Sequence, residues 1–191
     1  MAENNHVIIH VHKPGLEEKL FFCFSGIIVS IPITLYFGVF SSHACLLFPT
    51  LSSLCSTVLF TPFIEEFSKV FPLFYRHGET EKSIFTLGFL TGLGFGITEF
   101  ILYVFVQGAP PSIRLPAIFF HASSTSITAY GIATKRPVPF YLIAVALHLT
   151  NNVLASSEFF WLTGGLAVII ITYYLSWHLY HKTSDRIVDN T

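Results

Sequence analysis

Two adjacent carboxylates, Glu65 and Glu66, are followed by Lys69 in a run that is otherwise apolar or neutral. A third carboxylate, Glu99, closes the stretch Gly92-Leu-Gly94-Phe-Gly96-Ile-Thr-Glu99. His121 opens His121-Ala-Ser-Ser-Thr125, and His148 stands four residues before Asn152. A charge inside an apolar segment costs roughly 2.5–3.5 kcal/mol on insertion scales and marks function by default. A carboxylate withdrawn from water is a usable general base near neutral pH. A nearby His positions water or protonates a leaving amine, and His or Asn donors can hold a developing oxyanion. Glu65, Glu66, His121, His148 and Asn152 together make a set that can hydrolyse an amide bond. Glu65, Glu66, His121 and His148 are equally suitable ligands for one divalent metal such as zinc. Asn is a poor zinc ligand, so Asn152 tilts the reading toward a site that needs no cofactor, with zinc as the alternative. No Ser lies in a nucleophile-elbow pattern. Ser123 to Ser126 neighbour His121 only in sequence, which weakens a Ser–His dyad.

These groups must be held by elements that live in a membrane. Of 191 residues, 52% are hydrophobic and 11% charged. Soluble domains carry about 25% charged residues, so a soluble enzyme, a nucleic-acid binder and a disordered chain are excluded. Net charge is −1, which gives no field for polyanions. A helix needs about 20 apolar residues to cross a bilayer. Six stretches are candidates: residues 20–40, 46–75, 83–106, 115–134, 138–155 and 159–180. The expected fold is an all-α integral membrane protein, a six-helix transmembrane bundle around an intramembrane catalytic cavity. Residues 1–19 read as a cytoplasmic or interfacial segment, 20–180 as the membrane domain and 181–191 as a cytoplasmic tail. The first stretch is too long for a signal peptide. No internal repeat is evident.

With the N-terminus cytoplasmic, that side holds Lys13, Lys19, Arg76, Lys82, Lys135, Arg136, Lys182 and Arg186, and the other side holds Arg114. The bias places both termini in the cytoplasm of a multi-pass protein of the cell membrane. A rise of about 1.5 Å per residue puts Glu65 and His148 about 15 Å from the cytoplasmic end. The same count puts His121 near 20 Å and Glu99 near 24 Å. Four helices thus bring ionisable groups to one band of the bilayer.

Helical spacing of four pairs Glu65 with Lys69, His121 with Thr125, and His148 with Asn152. Glu65–Lys69 reads as a neutralising pair, which leaves Glu66 without a partner on its own helix. Gly88, Gly92 and Gly96 form a small-residue stripe, read mainly as helix packing. Cys23, Cys45 and Cys55 fit no zinc spacing and read as small apolar fillers, two of which could oxidise although nothing demands it. His6, His10 and His12 alternate with apolar residues ahead of Pro14-Gly15. They have metal-ligand chemistry, but a solvated tail is the simpler reading. Glu17 and Glu18 suit the first turn of a helix.

The run Thr61-Pro62-Phe-Ile-Glu65-Glu66-Phe-Ser-Lys69 resembles the Glu-Glu-x-x-Lys motif of PrsW-type intramembrane proteases. The glycine-rich stretch ending at Glu99, the His121 to Gly131 stretch, and His148-x-x-x-Asn152 resemble their other three motifs, in order. The group is related to the CPBP endopeptidases, which process prenyl-proteins and bacteriocins. Phe100 follows Glu99 where the family pattern usually has Asn. Lys69 stands in place of an Arg one step later in the prenyl-protein branch, which favours the PrsW side. The resemblance implies an intramembrane endopeptidase acting on membrane-anchored protein or peptide substrates such as anti-sigma factors. It implies that Glu65 or Glu66 activates water with help from His121. His148 and Asn152 would then stabilise the oxyanion or hold a metal, while Lys69, Glu99 and Thr125 support the reacting groups. The lipid bilayer is the other partner, and no nucleic acid is expected. The competing readings are an ion- or proton-coupled carrier or channel, and a catalytically silent scaffold.

Overall fold

The computed structural model describes residues 12–75, 79–157 and 163–188. Every regular element among them is helical. Backbone pairing of the strand type is limited to two isolated bridges, His12 with Glu79 and Thr80 with Ile187. Helix α1 is the continuous rod Leu16–Cys45. After a tight turn at Pro49–Leu51, α2 covers residues 54–70, wound wide over Leu54–Phe60 and regular over Thr61–Val70. The remaining helices are α3 (Glu81–Val106), α4 (Pro111–Ala133), α5 (Pro137–Ala155) and α6 (Thr163–Tyr180). Pro111 and Pro137 stand at helix starts, where the missing N–H has no helical acceptor to lose, while Pro62 falls inside α2, where the wide winding gives way to the regular one. Thr80 caps α3 by accepting from the Ser83 N–H at 3.1 Å.

One expectation is refined and one needs correction here. The stretch 46–75 winds helically from Pro49 to Tyr75, tight at Pro49–Leu51 and Phe71–Tyr75, wide over Leu54–Phe60 and regular over Thr61–Val70. Cys45 and Cys55 are not unpaired fillers; they form a disulfide with Cα atoms 5.7 Å apart. The turn folds α2 back along α1, which also joins Ser42 to Ser56 and Thr34 to Ser68 through their hydroxyls. That antiparallel register brings the two thiols together, and no spacing rule for cysteines encodes it. Cys23 is the free cysteine. Of the alternating histidines only His12 falls within the described residues.

The molecule is apolar on the outside and polar within. Leu47 and Phe105 are 80% and 75% exposed, whereas Lys69 and Glu66 are fully buried. A water-soluble protein cannot leave such large apolar side chains in solvent and hide its charges. Helices α1, α3 and α5 are each long and apolar enough to cross a membrane, so the fold is that of an all-helical membrane protein.

Helix α4 is the central post, buried continuously from Phe120 to Ala129. Its hydroxyls bond back to its own carbonyls, as Thr125 does to His121 at 2.8 Å and Ser126 to Ser123 at 2.7 Å. That satisfies these two without water, whereas the buried Ser123 and Thr128 hydroxyls have no partner. The glycine stripe of α3 lies against this post. A Cβ on Gly92 would come within 2.6 Å of the Thr125 hydroxyl, and one on Gly96 within 2.9 Å of the Ile118 Cα. On its other side α3 meets α1 backbone to backbone. A Cβ on Gly94 would collide with the Cys23 carbonyl, and one on Gly26 with the Thr91 carbonyl.

Gly94→Leu is expected to lower the unfolding midpoint of the detergent-purified protein. Overpacking of this kind costs about 1–3 kcal/mol or more. Gly38→Leu, whose Cβ meets nothing within 4 Å, is expected to leave it unchanged. Thermal unfolding followed by tryptophan fluorescence compares the two.

Candidate active site

The regular part of α2 is amphipathic in the inverted sense required by lipid. Glu65, Glu66, Ser68 and Lys69 are buried, while Phe63 and Phe67 face outward. The Lys69 ammonium donates to Glu66 Oε1 at 2.6 Å and to His121 Nδ1 at 3.1 Å, and lies 3.4 Å from the Ser124 hydroxyl. Ser124 in turn donates to Glu66 Oε1 at 3.1 Å. His148 Nδ1 meets the same oxygen at 2.8 Å. Glu66 Oε1 therefore collects contacts from α2, α4 and α5. The expected i,i+4 pair is replaced: Lys69 bonds Glu66, three residues away, and Glu65 is the carboxylate left over. Adjacent residues diverge by about 100° on a helix, and the position of α4 selects which of them Lys69 reaches.

The proton positions follow from donor chemistry. An ammonium only donates, so His121 Nδ1 accepts and Nε2 carries the hydrogen, donated to Glu99 Oε2 at 2.5 Å. His148 donates from Nδ1 to Glu66, which leaves the lone pair on Nε2. That nitrogen faces Glu65 Oε2 at 3.7 Å. Glu65 Oε2 is buried and has no hydrogen-bond partner. Two electron-pair donors thus confront each other with nothing of the protein between them.

The surroundings are aromatic. The His121 and His148 rings are 5.4 Å apart, and Phe120 packs edge-on to both. Phe95 lies against His121 and beneath the Lys69 ammonium, 5.2 Å from ring to nitrogen. These walls lower the local dielectric, which strengthens each bond in the network. On the Glu65 side the centre opens into a lateral groove of about 460 Å³ between α1 and α2, lined among others by Thr34, Gly38, Ser42 and Thr61.

The structure gathers Glu65, Glu66, Lys69, Glu99, His121 and His148 in one network. Thr125 stands behind it, bonded to the His121 carbonyl. Asn152 is not gathered with them: its side chain donates to the Thr57 carbonyl at 3.1 Å. Pro62, five residues beyond Thr57, has no N–H to offer that carbonyl in the wide winding. Ser124, read from the sequence as a mere neighbour of His121, joins the network through Glu66. Its signal was present, since it lies three residues beyond His121 on the same face. Phe95 and Phe120 had no signal among so many phenylalanines.

The donor set suits a divalent metal. Ligand atoms of Glu65, His121 and His148 lie within 4.8 Å of one another, and Glu65 Oε2 and His148 Nε2 are both ready to ligate. His148 carries the carboxylate partner on its other nitrogen that metal-bound histidines usually have. His121 would join by exchanging its bond to Lys69 or Glu99.

Fold and site together define a membrane protein with a buried carboxylate–imidazole centre. The chain belongs to the PrsW family of intramembrane metalloproteases, whose family model matches residues 18–178. At the level of the family it is a membrane protease. No curated protein and no solved structure matches it.

Lys69→Met is expected to destabilise the protein by about 3–5 kcal/mol, because it strands the Glu66 charge in the interior. The double variant Lys69→Met/Glu66→Gln is expected to regain part of that loss. Unfolding free energies in mixed micelles test the cycle, and simple additivity would contradict the coupling.

Proposed function

We propose that this chain is an endopeptidase that cleaves membrane-associated proteins with water held between Glu65 and His148. The observation that carries the reading is the confrontation of Glu65 Oε2 and His148 Nε2 at 3.7 Å in a buried network, where Glu65 Oε2 and Glu66 Oε2 have no hydrogen-bond partner. Glu66 Oε1 is taken up by Lys69, Ser124 and His148, so the part read for Glu66 is to orient His148. Glu65 is the base. It takes a proton from the water as the water oxygen bonds to the peptide carbonyl carbon. It then returns that proton to the amine nitrogen as the carbon–nitrogen bond breaks. His121, fixed between Lys69 and Glu99, closes the cavity on the far side. The groove between α1 and α2 admits an extended segment of substrate to Glu65.

Asn152 was the ground for preferring a metal-free centre, and its bond to Thr57 removes that ground. Glu65, His121 and His148 are the residues that would hold a single metal such as zinc. A metal there would polarise the substrate carbonyl and acidify bound water.

The reading includes six membrane passes with both termini cytoplasmic. The loop distribution of Lys and Arg supports it. So does the Cys45–Cys55 disulfide, which falls at the end of α1 that this topology turns away from the reducing cytosol.

Glu65→Gln is expected to lower turnover by about 10²–10⁴-fold with the fold retained. Membranes expressing wild type or Glu65→Gln are compared by mass spectrometry of new protein N-termini, and cleavages unique to wild type are then reproduced with purified protein. Identical termini in both would end the proposal. Proton uptake by proteoliposomes with no cleavage would favour the carrier instead. Elemental analysis with chelation and zinc add-back decides the metal: a full activity in metal-free protein would exclude it.

A cysteine placed in residues 107–110 is expected to react with an impermeant maleimide from outside intact cells, and one in residues 183–185 only after permeabilisation. The same side for both would refute the topology.

A further inference from the structure

A groove opens on the outer face of the bundle between the start of α3 and the end of α6. Both helices pack on α4: α3 through its glycine stripe, and α6 through the Ser176–Ser126 hydroxyl bond at 2.7 Å. They meet each other where the Phe85 and Tyr180 rings lie 5.5 Å apart. Those two rings also line a cavity of about 300 Å³, together with Phe89, Leu90, Tyr173 and Trp177. Lys82 stands one turn before Thr86 of the same wall, and its ammonium lies 5.3 Å over the Tyr180 ring. We propose that this groove binds one anionic phospholipid, with an acyl chain along Phe89 and Leu90 and the phosphate on Lys82.

The two parts of the groove match the two parts of such a molecule. Its walls are aromatic and aliphatic, which suits a hydrocarbon chain. Tyr173 and Trp177 are 52% and 50% exposed, so the groove is open to the surrounding lipid along its length. Tyr and Trp are the rings that settle at headgroup level, and these stand in the last turns of α6, on the side where Lys82 begins α3.

The charge at that end has one sign. No carboxylate is among the described residues that line the groove. Glu81, beside Lys82, is engaged by Arg186 and Ser184. An ammonium resting over a ring keeps its hydrogens for an oxygen anion, and lysine binds phosphate as a point charge. A zwitterionic headgroup brings its own cation to the same place and loses part of the attraction. The proposed topology turns this end of both helices to the cytoplasm, the leaflet in which anionic lipids concentrate. A lipid seated here braces α3, the helix that carries Glu99, against α6.

The test uses the full chain, purified in detergent and stripped of native lipid. Phosphatidylglycerol and phosphatidylcholine with the same acyl chains are titrated in, and retained lipid is counted by native mass spectrometry. Wild type is expected to retain one equivalent of phosphatidylglycerol at concentrations where phosphatidylcholine is lost. Lys82→Gln is expected to weaken that equivalent about fivefold, the factor one interfacial lysine contributes. Lys13→Gln removes an equal charge from the N-terminal segment and should change nothing. A phosphatidylglycerol with a diazirine in its acyl chain locates the site. On irradiation it should label the peptides that hold Phe89 and Leu90 or Tyr173 and Trp177, and unlabelled phosphatidylglycerol should compete. Equal retention of the two lipids, an equal loss in Lys13→Gln and Lys82→Gln, or labelling confined to other helices would overturn the site. All of these readouts are of binding, so they hold whether or not the chain cleaves peptides.

Discussion

The buried ion pair of Lys69 and Glu66 is the contact on which the centre depends. In a medium with no water to solvate either charge, the two must meet, and their meeting fixes what surrounds them. Lys69 then has hydrogens left for His121 and Ser124, and the Glu66 oxygen that Lys69 holds also accepts from His148. Each of these is carried by a helix other than α2. One pair therefore sets the rotation of α2 against α4 and α5, and from that rotation follows the isolation of Glu65. The proposed reactive carboxylate is a remainder: it is the acid that the neutralising lysine does not reach.

The packing serves the same end. Helices in lipid gain little from hiding apolar side chains from one another, so close backbone approach and internal hydroxyl bonding must hold them. The glycines of α3 supply the first, with Gly88, Gly92 and Gly96 against α4 and Gly94 against α1. Thr125 and Ser126 of α4 supply the second. A bulkier α3 would push α4 outward and draw His121 away from Lys69. Small residues remote from the chemistry thus set distances within it.

Outside the centre, the chain is closed by covalent and ionic ties at points where helix packing ends. The Cys45–Cys55 disulfide joins the end of α1 to the start of α2 beyond the groove that leads to Glu65. Glu81 and Arg186 tie the C-terminal tail to the start of α3. The elements that form the proposed substrate path and the centre are therefore braced from both ends.

The sequence alone determined the membrane environment, the helical class and the residue types of the centre. Those follow from local quantities: apolar run length, the cost of charge in lipid, and depth counted along a helix. The family resemblance rested on the same motifs, and the family match bears it out. What the sequence could not determine was pairing. Glu65 and Glu66 both lie within a turn of Lys69, and only the placement of α4 and α5 decides that Glu66 takes the lysine while Glu65 faces His148. Asn152 shares a helix face with His148 by spacing, yet its side chain bonds the Thr57 carbonyl of α2. Cys45 and Cys55 became partners because a turn reversed the chain between them. In each case the partner comes from another helix, or from a bend whose geometry no periodicity records, so tertiary structure made the choice.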